Sequence, residues 1–194
     1  MRDTTKNLRR LIAQHAARLI AEEGLADYAK AKRKAARQLG CAEDHNLPGN
    51  AEIEQELRLH HEIFNSESQP QRLRLLRDEA LRAMQLLERF NPHLAGAVLD
   101  GTAGRYAETD IHLFADSLKD VELFLLNQHI PYASDEKVGR IAGEKQRLPV
   151  FLLDGAHGAI RLTIFETDAL RALPKNAQLR ADAAEVAAML EQTR

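Results

Sequence analysis

The sequence predicts an α+β protein, with a helical region over residues 1–68 and a small mixed-sheet domain over residues 69–194. Three observations lead to that division. Apolar residues recur at helical spacing through the first third, as in Leu8, Ile12, Ala16 and Leu19. Short apolar runs punctuated by glycine begin only after residue 95. Between the two regimes lies a polar linker, Asn-Ser-Glu-Ser-Gln-Pro, at residues 65–70.

Composition narrows the function classes. The 194 residues suffice for one good core or two small ones. Hydrophobic residues make up 44% and charged residues 29%, the balance of an ordinary globular chain. A net charge of −2 argues against a general polyanion binder and leaves room only for a local basic face. The single cysteine, Cys41, excludes an intrachain disulfide. No apolar run approaches a membrane span, and the N-terminus is charged with no apolar signal core. We therefore expect a cytoplasmic protein with no membrane partner.

Taken in order, residues 5–23 predict an amphipathic helix stopped by Gly24. Residues 25–39 predict a second, stopped by Gly40, with Leu25, Tyr28, Ala35, Ala36 and Leu39 on its inner face. Lys30, Arg33, Lys34 and Arg37 make its outer face basic; this is either a solvated surface or a nucleic-acid contact. A helix-turn-helix is disfavoured, because Pro48 and Gly49 intervene and the next helix opens with Glu52, Glu54 and Glu56. Those acids suit a helix N-terminus and repel phosphates. That third helix spans 50–64, with Ile53, Leu57, His60 and Phe64 inward. His60 and His61 point apart on a helix, and Cys41 with His45 offers too few ligands for zinc, so packed or surface histidines are expected.

A long helix over 71–90 follows, with Leu73, Leu76, Ala80, Met84 and Leu87 as its core stripe and Arg72, Arg74, Arg77 and Arg82 outside. Pro92 stops it. A further helix is expected over 117–128, then a surface excursion over 134–147. Strands at 149–153 and 159–165 flank the glycine-bearing turn Asp154–Gly158, the pattern of a β-hairpin. A tail helix over 181–192 closes the chain.

The second domain is organised around residues 96–116. They read as a short buried strand at 97–99, a turn at 101–104 and a second strand at 111–115 led by Asp110. Glycine in such a turn lets the backbone approach a ligand, and its free N–H groups favour anions; a plain β-turn is the alternative. Asp110 and His112 share one face of the strand, because side chains alternate with period two.

Gly101, Thr102, Arg105, Asp110 and His112 together resemble the fingerprint of the nucleotidyltransferase superfamily, a Gly-Ser turn followed by Asp-x-Asp on the next strand. Gly101-Thr102 stands in the Gly-Ser place and Asp110-Ile111-His112 in that of Asp-x-Asp. The resemblance implies a nucleotide-binding domain with a small mixed sheet. It also implies Mg²⁺ held by converging carboxylates, with Asp110 as the metal ligand and Asp110 and His112 in the catalytic positions. It assigns Gly101, Thr102, Gly104 and Arg105 to nucleotide binding. His112 supplies nitrogen where an acid belongs, a donor better suited to zinc or later transition metals. Arg161, in Ile-Arg-Leu on a later strand, occupies the third acid's place, where a cation opposes a metal and suits Asp110 or a phosphate. Glu108, Asp116 and Asp154 are the other acids close in sequence.

Three functions follow as expectations. The first is a degenerate nucleotidyltransferase-like domain that binds a nucleotide or phosphorylated ligand without transferring it. The second is an active nucleotidyltransferase using Asp110, His112 and Glu108. The third is a non-enzymatic module contacting nucleic acid through Lys30, Arg33, Lys34, Arg37, Arg74 and Arg77, or contacting protein.

Overall fold

In a computed structural model, residues 2–25, 27–41, 47–141, 144–172 and 180–192 are described. His45 lies outside them. The protein is α+β: an N-terminal helical region precedes a six-stranded mixed sheet. No helix among the described residues is long and apolar enough to cross a membrane. The chain divides into two compact units, Met1–Gln71 with Thr102–Ala107, and Arg72–Gly101 with Glu108–Arg194.

In the first unit, α1 (Arg2–Glu23) packs on α2 (Tyr28–Gln38) and α3 (Asn50–Phe64). Its core joins Ile12, Ala13, Ala16 and Leu19 to Ala31, Ala35 and Ala36 of α2 and Ile53 and Leu57 of α3. The alanines of α2 let it approach α1 closely. Asp27 starts α2 by accepting the Ala29 and Lys30 N–H groups at 2.8 and 3.1 Å. Glu52 reaches back from α3 to accept the Gly49 N–H at 2.7 Å. On α3 the inward face is corrected by one position: His61 is buried with Ile53 and Leu57, whereas Phe64 is 70% exposed.

The division falls inside α4 (Ser68–Leu86), whose first turn takes up the end of the predicted linker. Pro70 is tolerated there because a first-turn N–H has no intrahelical partner. Leu76, Ala80 and Met84 are its buried stripe, and a 3-10 turn, Glu88–Phe90, ends the long helical run.

The second unit holds the sheet, in the order β3-β4-β5-β2-β1-β6. The strands are β1 (His93–Ala95), β2 (Thr109–Phe114), β3 (Ala133–Ile141), β4 (Glu144–Asp154), β5 (Ala159–Phe165) and β6 (Arg180–Ala181). Only β2 and β5 run parallel. Four helices complete the described chain: α5 (Gly96–Asp100), α6 (Leu118–Asn127), α7 (Ala169–Ala172) and α8 (Ala183–Gln192). Three sequence expectations are corrected here. Residues 97–99 are helical in α5, and the strand before Asp110 is β1. In the surface excursion expected over 134–147, residues 134–141 and 144–147 are regular structure: they form most of β3 and the start of β4, which pair antiparallel. A short strand, β6, precedes the tail helix. The expected β4–β5 hairpin is present, and Glu79 of α4 fixes its turn by accepting the Ala156 and His157 N–H groups while Arg72 donates to the His157 carbonyl.

Candidate functional site

The ladder register puts a set of polar side chains on one face of the sheet. Asp110 pairs with Arg161 and His112 with Thr163 across β2 and β5; Ala95 pairs with Asp110 on one side and Arg180 on the other. Residues paired across a ladder share a face. Asp110, His112, Arg161, Thr163 and Arg180 therefore point the same way. Lys137 joins them from β3, since it pairs with Leu148, which shares the face of Val150 and Thr163.

Lys137 Nζ lies 3.5 Å from Asp110 Oδ1. Two strands separate β3 from β2, so in a flat sheet their backbones would stand about 14 Å apart, beyond a lysine's reach. The β3–β4 hairpin therefore coils over the sheet face, as right-handed twist favours. This closure accounts in part for the burial of His112, which is 1% exposed.

The face is dense in cations. Arg161 pairs with Glu108 and Lys137 with Asp110. The third, Arg180, donates from Nε to His112 Nδ1 at 2.8 Å and lies 5.3 and 5.1 Å from the ring centroids of Phe114 and Phe165. Among the described residues no carboxylate pairs with Arg180. Burial lowers the pKa of Arg180. It also lowers that of Lys137, where attraction to Asp110 is opposed by Arg161 and Arg180. His112 is pushed down to about 2, first by burial and then by Lys137, Arg180 and His93. It is thus a neutral imidazole whose Nδ1 accepts, which leaves the proton on Nε2.

These contacts test the expected metal site. His112 Nδ1 is already engaged by Arg180, Glu108 is tied to Arg161, and a lysine stands on Asp110. Among the described residues no three His, Cys, Asp or Glu side chains converge as a metal site would require. The donor set does not fit Mg²⁺, which wants several hard oxygens. Asp116 bonds instead with Thr167.

The predicted glycine turn has a different use. Gly101 (φ +83°) ends α5 in the left-handed conformation that a helix C-terminus favours. Arg77 donates to the carbonyls of Val98 and Leu99 at 3.0 and 2.9 Å, completing that cap. Thr102, Gly104 and Arg105 belong to the first unit. There His61 Nε2 lies 3.2 Å from the Thr102 carbonyl, and Gln69 donates to that of Ala103 at 3.2 Å. A Cβ on Gly104 would come within 3.2 Å of the His61 ring. Arg105 lies over Tyr106, 5.7 Å from its centroid. The glycine that meets Asp110 is Gly96 (φ +68°), directly after β1: a Cβ there would stand 3.6 Å from Asp110 Cβ. Only a residue free to adopt positive φ makes this turn without strain.

Of the predicted site residues, the structure thus brings Asp110, His112 and Arg161 together and leaves Gly101 at a helix end. Sequence reasoning missed Lys137, Arg180 and Gly96. Of the basic residues expected to touch nucleic acid, Lys30 and Arg33 are exposed, Lys34 pairs with Glu23, and Arg77 is spent on the α5 cap. No protein-family model matches this chain, and no curated protein matches it.

Proposed function

We propose that the second unit is a nucleotidyltransferase-like domain that binds a nucleotide or another phosphorylated ligand and does not transfer it. The observation that carries this reading is the setting of Asp110. It leads β2 directly beside the positive-φ glycine turn that follows β1, as the lead acid of such a domain would. Yet His112 and Arg161 stand where the partner carboxylates would have to be, and Lys137 pairs with the acid itself. Cations beside a lone acid favour a ligand's phosphate and oppose Mg²⁺. The active-enzyme reading loses support for the same reason.

Thermal unfolding with a panel of nucleotides, in EDTA and in Mg²⁺, tests the reading. A nucleotide at about a hundred times its dissociation constant should stabilise the fold by about 2.7 kcal/mol, equally in both buffers. Absence of any shift at millimolar nucleotide defeats the proposal. A shift that needs Mg²⁺ and disappears in Asp110→Asn would instead restore the active-enzyme reading.

A further inference from the structure

We propose that Lys137, Arg161 and Arg180, with Asp110, form a metal-free seat for a protonated phosphate group, one that discriminates against sulfate. The inference rests on the reading above for its ligand class and narrows it to one seat and one protonation state.

The cations come from three strands, β3, β5 and β6, and lie on one sheet face, Arg161 and Arg180 on either side of Asp110. They are part-open: the Lys137 side chain is 32% exposed and that of Arg161 31%. A ligand can therefore reach them while part of their hydration is already lost, which strengthens any charge they meet. Arg180 is the anchor. Its Nε bond to His112 and its place over Phe114 and Phe165 fix the guanidinium, and its terminal N–H groups have no partner among the described residues. A fixed guanidinium with free terminal donors grips two oxygens of a tetrahedral oxyanion at once, and Lys137 adds a point charge. On the same face Thr163, fully buried and in register with His112, has a hydroxyl oxygen with no hydrogen-bond partner among the described residues.

Asp110 supplies the selectivity. Its Oδ1 meets Lys137 at the long distance of 3.5 Å, and its Oδ2 has no donor among the described residues. A carboxylate beside bound oxyanion oxygens repels them unless one carries a proton. Inorganic phosphate near neutral pH always has a P–OH group that can donate to Asp110, whereas sulfate has none. The charges agree. Three cations and the carboxylates of Glu108 and Asp110, with neutral His112, leave a single positive charge for the ligand to neutralise.

The test is calorimetric titration of the full chain with inorganic phosphate and with sulfate, in EDTA. We expect phosphate to bind, sulfate to bind at least tenfold more weakly, and Asp110→Asn to bring the two within about threefold, because an amide donates to either anion. Arg180→Gln should weaken phosphate at least tenfold. Lys137→Gln is the parallel variant should Arg180→Gln unfold, and the phosphate–sulfate contrast in wild type needs no variant. Equal affinity for both anions in wild type, no phosphate binding, or unchanged binding in the folded variants overturns the seat. If a nucleotide binds while phosphate neither binds nor competes, the seat fails and the proposed function stands. If phosphate binds as expected and no nucleotide does, the seat stands and the nucleotide reading falls.

Discussion

Replacing Arg77 with methionine gives the most direct test of how the turn before β2 is built. The substitution keeps most of the apolar stem and removes the donors. Val98 and Leu99 lose the charged N–H groups that cap their carbonyls. Val98 is fully buried and Leu99 8% exposed, so water replaces those bonds poorly. A hydrogen bond from a charged donor contributes about 1.5–3 kcal/mol, and leaving a buried acceptor unpaired costs about 1–3 kcal/mol. Burial disfavours the Arg77 charge, which offsets part of that gain, and the stem of methionine preserves packing. The net loss should be about 2–4 kcal/mol. Native-state amide exchange of β2 and β5 reports on the second unit. Their protection should fall by the same 2–4 kcal/mol, and Arg77→Lys should recover only part of it, since an ammonium cannot reproduce the fork. Protection within about 0.5 kcal/mol of wild type would refute the capping role. The same result with weaker RNA binding would return Arg77 to the nucleic-acid reading.

Two predictions concern pH. The Glu52 carboxyl is held at about 2 instead of 4.5, first by Arg9 and then by the Gly49 N–H. Its contribution is therefore full above about pH 4.5 and is lost as pH falls toward 2. The pair is more than a third exposed (38% and 43%), so screening reduces the effect to about 1 kcal/mol. In denaturant titrations Glu52→Gln should be destabilised by that amount at pH 7, with the gap closing toward pH 2.5; a constant gap contradicts the assignment. For His112, the folded value of about 2 lies below the ordinary 6.5, so its contribution is present above pH 6.5 and lost as pH falls from there toward 2. Its ring proton resonance should stay flat from pH 8 to pH 4, and a midpoint near 6.5 would show that the imidazole is not sealed between Arg180 and Phe165.

The helices were legible because period and punctuation agree in them. Residues 50–64 are read to the residue, since Gly49 and Asn65 bracket a clear apolar stripe. The stretch 97–99 misled because three apolar residues have no period, and a buried helical turn looks like a buried strand. Residues 133–141 carry almost no apolar alternation: β3 is a charged edge strand, and its pairing with β4 leaves no local mark. β6 has two residues, too few for any pattern. The shared face of Asp110 and His112 was legible from strand parity, whereas Arg161 was singled out only through the nucleotidyltransferase resemblance. Lys137 and Arg180 were not, because their position follows from ladder register and sheet coiling, both non-local.

That non-local geometry decides what can bind beside Asp110. Placing a carboxylate at 112 alone would not build a metal site. It would face Arg180, which now bonds His112, and form a buried ion pair, with Lys137 still on Asp110 and Arg161 still beside Asp110 in the ladder. Each cation lies on a different strand, so no single substitution removes the set. The coiled hairpin supplies one, β5 the second and the short β6 the third, so three separate strands place cations on the sheet face that carries Asp110. The three cations that oppose a metal ion at Asp110 are thus the same ones on which the proposed phosphate seat rests.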